Sequence, residues 1–520
     1  MLPFSSIDWI VIAIYILLLG LVGWLCSPKK TESARDYFLA GGTVPAWLAA
    51  VSVLSTTQSA ATFLGGPDYG YKGDLTYLST ILGAFLGFAF VAHVLIPRFY
   101  AMRATTVYEL LGQRFGERAM KWAGGMFLVG RLLASGARVY LAAIAIAMVM
   151  TGMVTSATVM AASALLVIVS LGFTFFGGLK SVIWNDFLQF NVYVVAALAI
   201  LVYLRLSIPV SNEEILAALS AAPDGMNKLR LFDLSLDLSH PFSLLAVLTG
   251  VALLYVANAG LDQDTTQRLL ACKDAREGAR GLYISAAATL PVIAIFVFIG
   301  SLLHIYYGRP DLMQGAGGQA GEAISGEKVN VFMYYILTEV PSGLRGLATI
   351  GIVAAAVGTT NSALNSMSSV LIQDFYRPWR ERRGQVAEYH FVVAGRAGMA
   401  LIGLGMFVLS ALSYYWQRNT EMGLLEFALQ VMVFAYAGLL GVYFTAVFTQ
   451  RGNSGSVVAA LFAGFVTVLL FQPAIAQMLH FPAVLAGLSF PFQLCLGTLV
   501  AAIVCAAPAG HKASIKPQFS

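Results

Sequence analysis

The sequence predicts an all-α integral membrane protein with about 13 transmembrane helices. Three observations support this fold class. Hydrophobic residues make up 58% of the 520 residues and charged residues only 11%, whereas a soluble domain is about 25% charged. Apolar runs long enough to cross a bilayer recur from residue 7 to residue 507. The connections between the runs are too short for a soluble domain, so we expect one membrane domain over residues 1–520.

Each predicted helix corresponds to one apolar run of roughly 18 residues or more. The runs lie near residues 7–26, 45–66, 77–96, 122–150, 156–176, 184–205, 241–261, 282–306, 343–372, 393–416, 424–448, 455–472 and 485–507. The first run has no basic segment before it and is as long as a bilayer core requires. We therefore expect a retained span and not a cleaved signal peptide.

The distribution of Lys and Arg predicts how the helices are oriented. If the N-terminus faces outward, 21 of the 31 Lys and Arg residues lie in inward connections and eight in outward ones, while Arg131 and Arg138 fall inside a span. This bias agrees with the positive-inside rule. An odd number of spans then places the C-terminal tail, residues 508–520, in the cytoplasm. The expected location is the plasma (inner) membrane.

Composition and motifs argue against several functions. The net charge is +5, but the basic residues stand in short clusters between apolar runs, which argues against nucleic acid as a partner. The four cysteines lack metal-ligand spacing. HExxH, GxSxG and Walker patterns are absent from the sequence. We therefore expect neither an enzyme nor a bound cofactor; the expected partners are lipid and a small solute.

Two predicted spans are unusually polar. Six of the eight residues 55–62 carry a hydroxyl or an amide, and the segment GIVAAAVGTTNSALNSMSSVLIQDFYRP has such groups on every helical face. Each group either bonds back to its own helix or lines a cavity around which the helix unwinds. Neutral oxygens without a nearby carboxylate suit a monovalent cation. The two segments are therefore predicted to meet at one ion site.

Three ionisable residues within or beside spans have two interpretations each. Asp186 begins a span, where it is either a solvated cap or an acid that attracts the cation. Arg131 and Arg138 lie inside a span, where a charge is costly unless it faces protein or water. Each arginine is either an ion-pair partner in helix packing or an anchor for a substrate carboxylate.

Four segments together resemble the sodium:solute symporter family, which includes sodium-coupled sugar, proline, sialic acid, iodide and monocarboxylate carriers. The similarity covers nearly the whole chain. The segments are DYFLAGGTVPAWLAAVSVLST with SAATFLGGP, FFGGLKSVIWNDFLQ, LDQDTTQRLLACKDAREGARG and AAAVGTTNSALNSMSSVLIQDFYRP.

The resemblance implies a LeuT-type fold of two inverted five-helix repeats, over residues 45–205 and 241–448. The second and seventh spans would be the broken first helices of the repeats. One extra helix, 7–26, would precede them, and two extra helices, within 455–507, would follow.

The resemblance also implies a main sodium site between the first helix break and the polar segment near residue 358. By motif position, Ser55, Gln58 and Ala355 would offer backbone carbonyls and Thr359 a hydroxyl. This chain has Gly358 where relatives usually have a hydroxyl residue, so one side-chain ligand is missing. A water or a carbonyl would have to substitute for it.

Further residues carry over from the resemblance less directly. A second sodium site, found in some members, would involve Asp186, Asn361 and Ser362. At the end of the seventh span, Asp262 and Gln263 either gate the inner exit or cap the helix.

Substrate-binding positions are predicted by similarity to the sialic acid carriers. Thr57, Ser59, Thr62 and Arg138 occupy the matching places. The segment SVLSTTQSAATFLGGP also resembles the branch that carries monocarboxylates, iodide and vitamins. We therefore expect a carboxylate-bearing organic solute, imported with sodium by alternating access. The alternatives are a sugar as the solute, a proton-coupled or uncoupled carrier, and a transporter-like sensor.

Overall fold

The computed structural model describes residues 4–26, 33–221, 225, 227–314, 323–324, 327–328, 330–418 and 424–508. The predicted cytoplasmic tail lies almost entirely outside these residues. In the first half, the helices are α1 (Ser6–Cys26), α2 (Ala34–Leu39), α3 (Ala46–Thr57), α4 (Ala60–Lys72), α5 (Thr80–Phe90), α6 (Ile96–Ala101), α7 (Glu109–Phe115), α8 (Glu117–Thr151), α9 (Ser156–Leu206) and α10 (Asn212–Ser220). Short 3₁₀ turns lie at Ala40–Gly42 and Thr76–Ser79, and a π-helical turn at Val91–Leu95 joins α5 to α6.

The second half is also helical, apart from one small antiparallel ribbon. Its elements are α11 (Leu244–Ala246), α12 (Ala252–Gly260), α13 (Gln263–Leu270), α14 (Ala275–Gly308), α15 (Pro310–Met313), β1 (Ala323–Ile324), β2 (Glu327–Lys328), α16 (Val331–Thr338), α17 (Leu344–Val370), α18 (Arg377–Glu381), α19 (Glu388–Arg418), α20 (Leu424–Phe448), α21 (Ser454–Leu470), α22 (Pro473–Met478), α23 (Ala483–Ala486) and α24 (Phe490–Ala506). Two further π-helical turns lie at Val247–Val251 and Leu371–Tyr376.

All thirteen predicted apolar runs fall on helices. In the described part of the chain, nine helices are long and apolar enough to cross a membrane, and a tenth candidate is the bent pair Leu244–Gly260 and Gln263–Leu270. Helices α3, α21 and α24 are apolar but shorter. The all-helical membrane architecture is confirmed, whereas the exact count of thirteen spans stays a prediction.

Helix α17 lies at the centre of the structure. Every residue from Ala354 to Val370 is buried, although many of them are polar. Helix α1, by contrast, exposes many large apolar side chains, as expected of a peripheral helix in contact with lipid. The polar side chains of α17 are therefore surrounded by protein on all sides. Such buried groups require polar partners on the surrounding helices.

Glycines allow helix backbones to approach each other closely at two places. Gly178 interrupts α9 with a φ of 58°, and a Cβ there would lie 2.6 Å from the Tyr37 carbonyl oxygen. Gly70 of α4 and Gly300 of α14 face each other's helix so closely that a Cβ at either position would collide with backbone atoms. Helices α4 and α14 therefore pack backbone against backbone.

Candidate functional site

The helix predicted to unwind is broken at Gln58 and Ser59. Both residues have extended backbone angles, with φ/ψ of −82°/113° and −119°/175°. The last backbone bond of α3 runs from Gln58 N to the Leu54 carbonyl, 2.8 Å, and α4 begins with a 2.9 Å bond from Thr62 N to the Ser59 carbonyl. Carbonyls at the end of a helix lack intrahelical partners. The break therefore exposes carbonyl oxygens at bilayer depth, where they require a polar environment.

A second break separates α12 from α13. The two helices are bent by 55° relative to each other, and Leu261 and Asp262 form the connection. The Asp262 side chain caps α13 by accepting a 2.9 Å bond from Asp264 N. Broken helices of this kind are typical of transporter binding sites near the membrane midplane.

A cavity lies beside the first break and offers about 90 Å³ to the centres of water molecules. All four predicted substrate-binding residues line it: Thr57, Ser59, Thr62 and Arg138. Further polar groups come from Gln58, Thr80, Asn258, Ser285 and Thr289, and aromatic groups from Tyr77, Phe88, Phe242, Tyr255 and Phe490. The structure thus brings together polar side chains from α3, α4, α8, α12 and α14.

Arg138 is the cationic side chain in the wall of this cavity. One of its guanidinium nitrogens, Nη2, lies 3.2 Å from the Met432 sulfur, a weak acceptor. Its buried Nε has no hydrogen-bond partner within the described ranges, and no carboxylate there lies within 4.0 Å of the guanidinium. A buried donor of this kind gains stability when a ligand supplies an acceptor.

The residues predicted for the main sodium site lie on α17 and on the first break. A Cβ placed on Gly358 would lie 2.9 Å from the Ser55 hydroxyl oxygen, so these two positions are direct neighbours. The Thr359 hydroxyl donates a 3.0 Å bond to the Ala355 carbonyl. Gln58 stands at the break itself, with a buried side-chain oxygen that has no partner among the described residues. Convergence of the two polar segments, which the sequence predicted, is therefore present.

Two of the three residues predicted for a second sodium site, Asp186 and Ser362, contact an arginine. Arg268 Nη2 lies 3.0 Å from the Asp186 carboxylate and also donates to the Ser362 hydroxyl. The side-chain amide of Asn361, oriented to satisfy its neighbours, donates a 3.0 Å bond to the Ser170 carbonyl. Asp186 and Ser362 therefore come together as predicted, but a guanidinium already lies between them.

Arg268 belongs to a buried ion network that we call the Arg268 network. It consists of Asp186, Arg268, Asp264, Arg131 and Asp262, joined in that order by ion pairs. All five side chains are at most 3% exposed. With three carboxylates and two guanidinium groups, the network has a formal charge of −1. Of the two interpretations of Arg131, the structure supports that of an ion-pair partner between helices.

The predicted gate residues join the second break to other elements. Asp262 accepts a 2.9 Å bond from Arg131 and a 2.5 Å bond from the Tyr436 hydroxyl. Gln263 accepts a 3.0 Å bond from Val107 N and donates a 2.9 Å bond to the Thr105 carbonyl. Asp262 therefore caps α13 and also contacts Arg131 and Tyr436, whereas a gating role for Asp262 and Gln263 stays a prediction.

Sequence reasoning missed several residues of the site. Arg268 follows the seventh predicted span and is therefore one of the 21 basic residues assigned to inward connections, yet its side chain is fully buried. Its spacing of four residues from Asp264 was a detectable signal, because such pairs face each other on a helix. Gln189 was also overlooked. Its amide oxygen would lie 2.8 Å from a Cβ placed on Gly358, and the available signal was an amide within an apolar span.

Comparison with known proteins identifies the class to which this arrangement belongs. The model of the sodium:solute symporter family matches residues 37–464. The chain therefore belongs to that family. It is a sodium-coupled transporter of a small solute and not an enzyme, and sodium is its coupling ion.

Among its relatives is the sodium/sialic acid symporter SiaT of Proteus mirabilis (strain HI4320). The two are 29% identical over 478 residues, which are 90% of this chain and 89% of the relative. A solved structure of a Na⁺-coupled sialic acid symporter, substrate-bound and outward-open, matches with a TM-score of 0.78 and 24% identity over 98% of this chain and 99% of the other.

Mhp1, a nucleobase-cation-symport-1 family transporter, matches with a TM-score of 0.54 and 16% identity, covering 92% of this chain and 94% of the other. The two structural matches show that the fold is of the LeuT type.

Proposed function

We propose that this symporter imports a carboxylate-bearing organic solute together with sodium. The observation that carries the proposal is Arg138, a cation in the cavity wall with no carboxylate partner in the described part of the chain. A substrate carboxylate would supply the missing acceptor in a charge-assisted bond. Hydroxyls of Thr57, Ser59 and Thr62 would bind the remaining polar groups of the solute.

A sugar is the second candidate solute. Its support is the aromatic part of the cavity wall, in which Tyr77, Phe242 and Phe490 stand beside the hydroxyl and amide groups. Sialic acid, an acidic sugar named for the relative above, would use both the guanidinium and the hydroxyl-rich wall. It is therefore the first compound to test.

Sodium is proposed to bind between the first break and α17. The carbonyls of Ser55, Gln58 and Ala355 and the hydroxyl of Thr359 are the proposed ligands, and Asp186, Asn361 and Ser362 remain a proposal for a second ion. Arg268 weakens that second proposal, because its guanidinium already pairs with Asp186. An ion that joined the break to α17 would favour one arrangement of the two elements, as coupling requires.

The transport cycle follows from this arrangement. We infer that the N-terminus faces outward, so that Asp262 and Gln263 form the inner gate. Residues 45–205 and 241–448 are the proposed inverted repeats, and residues 7–26 and 455–507 are the proposed additional helices. The proposed location is the plasma (inner) membrane.

In the proposed cycle, sodium and solute from outside bind at the first break. Their release to the inside requires the contacts of Asp262 with Arg131 and Tyr436 to open. Membrane voltage would assist entry by about 2.3 kcal/mol per charge per 100 mV.

Uptake into proteoliposomes tests this function. Purified protein is expected to accumulate labelled sialic acid, or another organic acid found in a thermal-shift screen, only under an inward sodium gradient. Protein-free liposomes and a potassium gradient are the controls. Equal uptake in sodium and potassium would contradict sodium coupling, and uptake driven equally by a proton gradient would favour a proton-coupled carrier.

A further inference from the structure

The side chain of Gln189 occupies the space beside Gly358. A Cβ placed on Gly358 would lie 2.8 Å from the Gln189 amide oxygen and 2.9 Å from the Ser55 hydroxyl oxygen. Two oxygens from different helices, α9 and α3, thus converge on one point next to α17. A hydroxyl residue at position 358 would compete with Gln189 for this space.

Gln189 is also a buried polar group at bilayer depth. It lies twelve residues into the span Gly177–Leu206, about 18 Å along the helix axis, and is 1% exposed. The Tyr15 hydroxyl interacts with the Gln189 side chain, but neither atom of the amide has a partner with full hydrogen-bond distance and angle among the described residues. Leaving a buried amide unpaired costs about 1–3 kcal/mol. The position therefore favours a ligand or water that interacts with the amide oxygen.

We propose that the Gln189 amide oxygen is a sodium ligand that replaces the hydroxyl absent at Gly358. The inference rests on the proposed sodium site between the first break and α17. A carbonyl oxygen is a suitable ligand because neutral dipoles replace the water shell of a monovalent cation without trapping it. Gln189 and Gly358 then form a matched pair: the glycine leaves room for an amide that reaches in from α9.

The test measures sodium binding without any solute. Purified full-length protein is titrated with sodium chloride against choline chloride, and its thermal unfolding is recorded, because a ligand of the folded state raises the unfolding temperature. Gln189→Leu keeps the volume of the side chain and removes the oxygen. We expect it to raise the half-saturating sodium concentration about tenfold or more, the size of effect expected when a group bound to a charge is lost.

Two further variants separate a ligand from a space-filling side chain. Asn185→Leu removes another buried amide one turn earlier on the same helix and is expected to leave the sodium response unchanged. Gly358→Ser alone should weaken sodium binding through its collision with Gln189. Gly358→Ser combined with Gln189→Ala should restore most of the response, because the new hydroxyl then supplies the oxygen.

The outcomes distinguish this inference from the function on which it rests. If the wild-type protein does not respond to sodium, both the proposed sodium site and the role of Gln189 as a ligand are overturned. A wild-type response that Gln189→Leu leaves unchanged would overturn the role of Gln189 alone. If Gln189→Leu does not fold, Gln189→Glu is measured instead; a carboxylate at this place is expected to strengthen sodium binding, and an unchanged half-saturating concentration would refute the role of Gln189.

Discussion

The guanidinium of Arg268 lies 3.0 Å from the carboxylate of Asp186, and neither side chain is exposed to solvent. Ser52 completes the contact by donating a 2.5 Å bond to Asp186 and accepting a 2.7 Å bond from Arg268. Helices α3, α9 and α13 are therefore joined at one buried point next to α17.

Replacing Asp186 by alanine is expected to destabilise the protein even without sodium. Arg268 would lose a buried carboxylate, and breaking a buried ion pair costs about 3–5 kcal/mol. Thermal unfolding in sodium-free buffer measures the effect. The control is Arg280→Ala, which removes an exposed pair with Glu277 and should change stability by less than about 1 kcal/mol. A variant with normal sodium-free stability and a lost sodium response would instead favour Asp186 as an ion ligand.

Replacing Arg138 by methionine is expected to remove the preference for an acidic solute. The lost charge-assisted bond corresponds to about 1.5–3 kcal/mol, roughly ten- to a hundredfold in affinity. Binding of an organic acid and of its uncharged amide is compared in the wild type and the variant at saturating sodium. The wild type should prefer the acid and the variant should not. A variant that still prefers the acid would remove Arg138 from the proposed binding site.

Replacing Thr359 by alanine is expected to weaken sodium binding. A hydroxyl bound to a cation is worth about 1.5–3 kcal/mol, so the half-saturating sodium concentration for uptake should rise roughly tenfold or more. Thr360→Ala is the matched control, since the Thr360 hydroxyl also donates to a carbonyl of its own helix, at 2.8 Å. Equal effects of the two substitutions would indicate a loss of helix packing and not of an ion ligand.

Replacing Gln263 by alanine is expected to loosen the predicted inner gate. Val107 N would lose the acceptor that Gln263 provides, which costs about 1–3 kcal/mol at a buried site. Hydrogen–deuterium exchange of the peptide around Val107 should therefore become faster. Gln267→Ala, which removes a bond to the Phe38 carbonyl elsewhere, should leave that peptide unchanged. Unaltered exchange in the Gln263 variant would show that this contact does not hold the gate closed.

The sequence alone predicted the helices and the first break because both depend on local composition. Apolar runs of bilayer length mark the spans, and the dense polar stretch at residues 55–62 marked the place where α3 ends. The convergence of this stretch with α17 also followed from polarity, since neither segment is stable against lipid.

Long-range pairing was beyond the reach of sequence patterns. Arg345 is one of the eight basic residues that the charge count assigns to outward connections, but it is buried and pairs with Asp8 at 3.2 Å, 337 positions away in the chain. Arg268 likewise pairs with Asp186, 82 positions away. The positive-inside rule uses the number of charges near a span and says nothing of their burial. A single sequence therefore could not separate these two arginines from solvated loop charges.

The contact between Gly70 and Gly300 limits how the molecule can change shape. Because α4 and α14 meet backbone to backbone at these two glycines, and the Phe63 and Phe296 rings pack 5.0 Å apart beside them, sliding one helix past the other would separate surfaces that pack like a protein interior. The two helices are therefore expected to move together as one rigid body during transport. Bending would then be concentrated at Gln58 and Ser59, where helical hydrogen bonds are already missing. The hinge of this movement would therefore lie in the same few residues as the proposed ion-binding oxygens.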